Sequence, residues 1–364
     1  MPRLTAPAAF AGLMALLLPH AAVAAAATPA PATPEALLKA LTGTWNATMQ
    51  IAAPDDTPPQ VINALEVNRL GGDGGWIVSE FTSQMEGRPF EGHGLLAWNP
   101  ATGKFRRVWA DVTAPTPWRS EGTWDAATRT LTMWIETFDS SGHPVRWREE
   151  TLFKEDGSRT FTMYAPGPKN TEAAPITITY RKRLEGAPPA QVRPAPAPPS
   201  PEHRRLGRGV GTWNARLETA KGSPLDPKIT KAVEVNTLCC DALFLVTDLD
   251  GAAKKTHFAG HGLVGYDPDA KRYWSAWVDT ATRNLGVNQG DWDEANSTLT
   301  FPLEDPGGAT PGPTRETIAY QADGAHTLTL WARGADGKEF AGVVIRYERA
   351  KEKTTPAKPT AAER

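Results

Sequence analysis

A motif that occurs twice is the feature that most constrains the fold of this chain. Residues 43–46 (GTWN) recur at 211–214, and 90–94 (FEGHG) recur as FAGHG at 258–262, both 168 positions later. A period this long indicates a duplicated domain rather than a solenoid, because about 150 residues can bury a core of their own. We place the two copies at residues 34–184 and 202–350.

The N-terminus predicts export. Arg3 precedes an apolar run that is interrupted at Pro19 and followed by small residues up to Ala27. This pattern predicts a cleavable secretory signal over residues 1–27 rather than a membrane-spanning helix. No later segment approaches 18 consecutive apolar residues, so we expect no stable membrane insertion. Two cysteines in 364 residues fit a bacterial periplasmic or secreted protein better than a disulfide-stapled one.

The net charge disfavours one class of partner, and the local composition predicts a linker and a tail. The net charge of −2 offers no broad attraction to nucleic acid. Residues 185–201 are rich in proline, which favours an extended linker between the copies, and we expect the tail 351–364 to be disordered.

The local patterns predict an all-β fold. Residues 34–41 form a short helical pattern, and after it turn signals recur every 8 to 15 residues. In the last strand of each copy, apolar residues alternate with polar ones, ending at Tyr180 and Tyr347. We therefore predict two similar antiparallel β-barrels, each of about 8–10 strands with a short N-terminal helix.

Each copy resembles the bacterial family called domain of unknown function 1579. The resemblance rests on the early GTW, the F-x-G-H-G-L, the W-x-D at Trp109 and Trp277, and the following G-x-x-D, and it spans each copy nearly end to end. The family has no established activity, so the resemblance implies a fold more than a function. The early G-x-W is also similar to that of the calycins, the lipocalin and fatty-acid-binding-protein group.

The calycin resemblance implies a structural role for two tryptophans. In calycins the early Trp packs across the closed end of the barrel against a cation of the final strand. Here Trp45 would meet Lys182, and Trp213 would meet Arg349. Direct ligand contact by either Trp is the alternative.

His93 and His261 have identical neighbours, and three interpretations stay open. The imidazole could bond a neighbouring strand at a bend made by the flanking glycines, contact a polar ligand, or act as a general base or metal ligand. No spacing typical of a zinc site accompanies either residue. We expect no cofactor, with haem at His93 or His261 as the minor alternative.

A ligand-binding pocket is predicted from residues that recur in both copies. Trp109 and Asp111 have the same strand parity, so their side chains should project to one face. If that face is inward, they join carboxylates and the histidine in a mostly apolar pocket with a few polar anchors. The predicted site residues are Glu66, His93, Trp109, Asp111 and Glu149 in copy one, and Glu234, His261, Trp277, Asp279 and Glu316 in copy two. Alternatively, each aspartate begins the next turn and caps its backbone amides.

Cys239 and Cys240 occupy a predicted strand-to-strand turn. A disulfide between adjacent residues is strained, so two partly buried thiols are favoured.

The leading hypothesis is non-catalytic binding of a small hydrophobic or amphipathic molecule in the barrel cavities. No nucleophile elbow, P-loop or Rossmann glycine pattern is present, and we assign no catalytic residue. Two alternatives remain: a hydrolase or isomerase that uses histidine and carboxylates, and a structural or protein-interaction module whose barrels are filled by their own side chains.

Overall fold

The computed structural model describes most of both copies. The described residues are 28–53, 57–138, 143–167, 171–183, 200–223, 228–253, 256–303, 313–334 and 336–351. The predicted signal sequence, nearly all of the linker and all but the first residue of the tail lie outside these ranges.

A short helix precedes each barrel. Helix α1 spans Pro34–Leu41, with the side chain of Thr33 accepting a hydrogen bond from the amide of Ala36 and proline in the first turn. Helix α2 spans Pro201–Leu206 and is capped in the same way by Ser200. Pro201, the last residue assigned to the linker, therefore begins a helix. Within the described ranges, no helix has the length and apolar character needed to cross a membrane.

Ten strands form each barrel. In barrel 1 they are β1 Gly43–Ile51, β2 Gln60–Gly71, β3 Trp76–Met85, β4 Arg88–Asn99, β5 Lys104–Asp111, β6 Ala114–Asp125, β7 Thr130–Phe138, β8 Pro144–Phe153, β9 Arg159–Pro166 and β10 Glu172–Lys182. In barrel 2 they are β11 Gly211–Thr219, β12 Lys231–Cys239, β13 Phe244–Ala253, β14 Thr256–Asp267, β15 Arg272–Asp279, β16 Gly286–Asp293, β17 Thr298–Pro302, β18 Arg315–Tyr320, β19 His326–Arg333 and β20 Glu339–Arg349.

Each barrel is an antiparallel meander that closes on itself. Neighbouring strands pair in sequence order, and the first strand pairs with the last: Trp45 lies opposite Lys182 in barrel 1, and Trp213 lies opposite Arg349 in barrel 2. Closure leaves neither sheet with an unpaired edge strand. The predicted all-β fold of two similar barrels is confirmed, with ten strands in each.

The helix closes one end of barrel 1. Leu37 and Leu38 are fully buried and pack against Phe105 of β5. The indole of Trp45 donates a hydrogen bond of 2.9 Å to the carbonyl of Leu41, which fixes the helix to the first strand. Barrel 2 repeats this arrangement, since the indole of Trp213 donates to the carbonyl of Gly209, 2.7 Å away, just after α2.

The two barrels pack against each other through equivalent outer faces. Side chains of β3–β5 and β13–β15, with two from the turns beside them (Cys240 and Leu285), form one shared core, which consists of Trp76, Val78, Leu95, Ala97, Val108, Ala110, Cys240, Phe244, Val246, Leu263, Trp274, Ala276, Val278 and Leu285. Trp274 also donates a hydrogen bond across the interface to the carbonyl of Pro115. The duplicated domains therefore form one continuous body in the described structure, with much of its apolar core between the barrels.

The two cysteines are free thiols at this interface. Cys240 is buried, Cys239 is half-buried, and the two are not joined. Cys240 has a positive φ of 54°, as Gly72 has at the equivalent turn of barrel 1 (52°). The turn thus needs the left-handed conformation, which glycine adopts at lower cost than cysteine.

Candidate functional site

The inward side chains of barrel 1 differ in burial between its two ends. At the helix end, Trp45, Phe105 and Tyr180 are at most 6% exposed. At the other end, the inward side chains that pack on the same core stay partly accessible, namely Ile51, Met85, Phe90, Trp109, Met163 and Ile176. We call this incompletely packed half of the barrel cup 1; Trp118 and Trp147 belong to it as well, with ring centroids 6.0 Å apart.

Two glycines position the tryptophan of cup 1. A Cβ atom at Gly92 would lie 2.3 Å from the Trp109 ring, and one at Gly94 would lie 2.9 Å from it. Only glycine at both positions lets the indole lie flat on β4. The indole nitrogen donates a hydrogen bond of 2.9 Å to Asp111, so the two side chains lie on one face, as their shared strand parity predicts.

Asp111 also caps the turn that follows it. Its second carboxylate oxygen accepts from the amide of Thr113 at 2.8 Å. In barrel 2, Asp279 accepts from the Trp277 indole and from the amides of Ala281 and Thr282. The aspartate therefore pairs with the tryptophan and also caps the following turn, so both interpretations of this residue apply.

An arginine lies at the floor of cup 1. The Arg107 guanidinium lies 3.1 Å from a Glu149 oxygen, whose other oxygen accepts from the Ser120 hydroxyl at 2.9 Å. The same guanidinium is 5.3 Å from the ring centroids of Trp109 and Phe161. Arg107 keeps 23% of its side chain accessible, against 4% for Glu149, so a group that enters the cup meets the arginine first.

A second ion pair is sealed at the helix end. Arg159 pairs with Glu66, and both are almost fully buried. Asn68 donates to Glu66 at 2.6 Å and to the carbonyl of Leu41. The guanidinium of Arg159 stacks on Trp45 and Tyr180, at 4.3 and 3.9 Å from their ring centroids, and burial raises the pKa of Tyr180 well above its usual value. This pair is part of the core and is not reachable from cup 1.

The expected cations lie beside the early tryptophans. Lys182 is 5.5 Å from the Trp45 ring centroid, and Arg349 is 4.4 Å from that of Trp213. Arg159 makes a shorter approach to Trp45 from inside the barrel. Both early tryptophans thus contact cations while they close the helix end.

Barrel 2 has a corresponding cup 2 with different polar residues. Its half-buried inward side chains are Phe258, Trp277, Asn288, Glu316, Leu328 and Leu330. Ser275 occupies the position of Arg107, and Glu316 that of Glu149. At the helix end, His326 replaces Arg159, with its Nε2 3.7 Å from Glu234. Burial, and then the negative charge of Glu234, raise the pKa of Glu316 to about 7.

The histidines do not join these cups, which corrects the expectation of one shared pocket. Trp109 packs inward over Gly92 and Gly94, so His93 between them projects outward, since side chains alternate along a strand. His93 and His261 instead meet between the barrels, with their Nε2 atoms 3.0 Å apart and their rings 11° from parallel. Asp248 accepts from the Nδ1 of His261 at 2.7 Å.

This pairing bears on metal and haem binding. Each Nε2 atom faces the other imidazole, so neither is presented to a haem iron in this arrangement. Across the described residues, no three or more His, Cys, Asp and Glu side chains converge as a metal site.

A cleft of about 540 Å³ lies at the helix end of barrel 2. Residues of the 321–324 turn, Arg208 and Arg349 line it. Trp213 is fully buried beneath Arg349, and it separates this cleft from the barrel interior. The cleft is a polar surface feature and does not open into cup 2.

Sequence reasoning missed Arg107, Arg159 and His326. The repeat could have predicted the last two as inward-facing residues. Arg159 aligns with His326 at an offset of 167, and each has the same strand parity as the core residues next to it.

The protein is a tandem β-barrel protein: two closed ten-stranded meanders are joined through equivalent faces. The chain belongs to the family described as protein of unknown function (DUF1579), whose profile matches residues 30–182 and 198–349. No curated protein matches the chain.

Solved structures that match this chain share little sequence with it. The crystal structure of Rv2717c from M. tuberculosis is 11% identical over 42% of this chain and 98% of its own, with a TM-score of 0.31. A protein of unknown function from the DUF3598 family of Nostoc punctiforme is 14% identical over 86% of this chain and 97% of its own, with a TM-score of 0.18.

Proposed function

We propose that the protein is exported and binds a small amphipathic molecule in the cups of its barrels, without catalysing a reaction. The observation that carries this proposal is the change in burial along barrel 1. At the helix end Trp45, Phe105 and Tyr180 are at most 6% exposed, whereas the inward aromatic and aliphatic side chains of cup 1 remain partly accessible. The interior of a small barrel is either filled by its own side chains or holds one small ligand, and the accessible side chains of cup 1 favour the second case.

The chemistry of cup 1 supports an amphipathic ligand. Apolar and aromatic walls surround one accessible polar group, Arg107, which is the usual composition of a small-molecule site. Its partner Glu149 already accepts bonds at both oxygens, while a guanidinium has five N–H donors. A ligand that reaches the floor of cup 1 therefore meets unused donors, and we expect it to carry an acceptor there.

Titration with three eight-carbon probes tests the proposal. Octanol, octanoate and octylammonium would be titrated into the mature protein by calorimetry. We expect saturable binding of at least one probe, and loss of that binding in Met163→Trp for cup 1 or Leu330→Trp for cup 2, since each fills its cup from a half-buried position.

Neighbouring residues on the same strands provide matched controls. Thr162→Trp and Thr329→Trp place the same indole on the outward face, and they should leave binding intact. Binding that survives both cup-filling variants would show that the probes bind elsewhere, and the proposal would then fail.

A further inference from the structure

The two copies of the domain differ at the polar floor of the cup. In cup 1 the carboxylate of Glu149 holds a cation, because Arg107 lies 3.1 Å away, and Ser120 donates to its second oxygen. In cup 2 the equivalent carboxylate is that of Glu316. Both carboxylates have the same place in the sheet, since Glu149 lies opposite Met163 and Glu316 lies opposite the equivalent Leu330.

Cup 2 lacks the cation. The position of Arg107 is taken by Ser275, whose short side chain cannot reach across the barrel as a guanidinium does. Among the described residues, no Lys, Arg or His side chain forms an ion pair with Glu316, and no hydrogen bond to its carboxylate is present in the described structure. The buried His326 is directed at Glu234, with its ring stacked on Tyr347.

The side chains around Glu316 are not fully buried. Trp277, Asn288 and Leu330 around it are all half-buried, as is Glu316 itself. The Trp277 indole lies over Gly260 and Gly262 and donates to Asp279, so it forms an ordered wall. An unpaired carboxylate out of bulk water is costly, and a positive charge in contact with it offsets that cost.

We propose that cup 2 binds a ligand with a protonated amine, whose ammonium group pairs with the Glu316 carboxylate in the place that the Arg107 guanidinium holds in cup 1. This inference rests on the proposed function, and it names the ligand class for one of the two cups. The apolar part of the ligand lies against Trp277 and Leu330.

The three eight-carbon probes separate this inference from the proposed function. At pH 8 we expect octylammonium to bind cup 2 at least tenfold more tightly than octanol. Glu316→Gln should weaken octylammonium binding at least tenfold, so that octylammonium loses its advantage over octanol in cup 2. Ser275→Arg, which installs the cation of cup 1, should abolish octylammonium binding.

The pH dependence of octylammonium binding provides an independent test. The titratable groups around Glu316 are Glu234 on β12, Asp279 on β15, Tyr320 on β18, His326 on β19 and Tyr347 on β20. Because the carboxyl must ionise to hold an ammonium group, octylammonium binding should weaken about tenfold between pH 8 and pH 6, while the amine stays charged. Octanol binding should not change over this range.

A control variant and two outcomes complete the test. Glu339→Gln removes a carboxylate that pairs with Arg315 at 3.1 Å near the same end of the barrel, and it should leave octylammonium binding unchanged. Equal binding of octanol and octylammonium, or octylammonium binding that Glu316→Gln does not weaken, overturns this inference and leaves the proposed function standing. Failure of all three probes to bind in either cup overturns both.

Discussion

His93 and His261 are equivalent residues of the two copies, and they bond to each other across the interface at 3.0 Å. A residue that contacts its own counterpart lies on the local two-fold axis of an isologous contact. Only one proton fits between the two Nε2 atoms, so the pair is stable with at least one imidazole neutral. The buried interface therefore depends on the protonation state of this pair.

The histidine pair predicts that acid destabilises the protein. Burial, and then the charge of His261, lower the pKa of His93 from 6.5 to about 3, while Asp248 acts in the opposite direction and Arg69 adds to the lowering. Between these pH values the imidazole of His93 is protonated in the unfolded chain and stays neutral in the folded chain. Stability is thus lost as the pH falls from 6.5 towards 3, by up to about 1.4 kcal/mol per pH unit.

Urea unfolding of wild type and His93→Gln at pH 7, 5 and 4 measures this contribution. Glutamine keeps a donor towards His261 and does not titrate. The difference in unfolding free energy between the two proteins should shift in favour of the variant as the pH falls. A difference that is independent of pH would contradict the assignment.

Glu316 should have an opposite dependence on pH. Its pKa is raised from 4.5 to about 7, so the folded chain keeps a proton that the unfolded chain releases in this window. Wild type therefore loses stability as the pH rises from 4.5 to 7. Glu316→Gln should be more stable than wild type at pH 8, by about 1–3 kcal/mol, and equal to it at pH 4.

Glu149→Gln is the matched comparison, measured by thermal unfolding at the same two pH values. It removes the partner of Arg107 and should destabilise at pH 8, where Glu316→Gln stabilises. If both variants change stability in the same direction at pH 8, the result would contradict the description of Glu149 as paired with a cation and Glu316 as unpaired.

The sealed ion pair of barrel 1 should be costly to break. Arg159→Ala leaves the Glu66 carboxylate buried without its cation, and we expect a loss of about 3–5 kcal/mol in unfolding free energy. Arg69→Ala removes an exposed pair with Glu80 and should cost less than about 1 kcal/mol. Denaturant titration of both variants gives the comparison, and equal losses would refute the distinction.

The glycine beneath Trp277 should not tolerate a methyl group. A Cβ at Gly260 would lie 2.1 Å from the ring, so Gly260→Ala must displace the indole and should cost about 1–3 kcal/mol. The control is Gly207→Ala, since a Cβ there meets nothing within 4 Å and its φ is −59°. Thermal unfolding with tryptophan fluorescence reports both; an unperturbed Gly260→Ala would mean that the ring is not held flat on β14.

The two thiols should differ in reactivity. Contact with Cys239 and burial raise the pKa of Cys240 far above its usual value, while Cys239 is half-buried. In the native protein a disulfide reagent should therefore label Cys239 alone, and in denaturant it should label both. Cys239→Ser should leave no reactive thiol in the native state; rapid labelling of that variant would show that the interface opens readily.

Much of the fold follows from the sequence because repeat and parity are local signals. The offset between the GTW motifs located both barrels, and the common parity of Trp109 and Asp111 placed their side chains on one face, where they form a hydrogen bond. The direction of His93 depends on which face of β4 is inward, and the sequence of that strand is apolar on both. Residues 94–98 are continuously apolar, which is typical of a strand buried on both faces, and this was the available signal for the interface.

The polar floor of each cup could not be predicted in this way. An inward arginine such as Arg107 has the same local pattern as the outward Arg106 beside it, which reaches the carbonyl of Leu285 in the other barrel. Only the register of β5 separates their roles. Pairing with Glu149, which is distant in sequence, needs the curvature of the closed barrel, because β6 and β7 lie between β5 and β8 in the sheet.

The contact between equivalent faces determines which residues can differ between the two copies of the domain and which cannot. Any substitution at His93 must be accommodated by His261, because each is the other's partner, and the same holds for the apolar residues around them. The cups lie on the inner faces of the same strands, on the opposite side from the outward residues that make this contact. A duplicated chain can therefore keep one scaffold while its two interiors diverge, as arginine in one and serine in the other at the same position already illustrates.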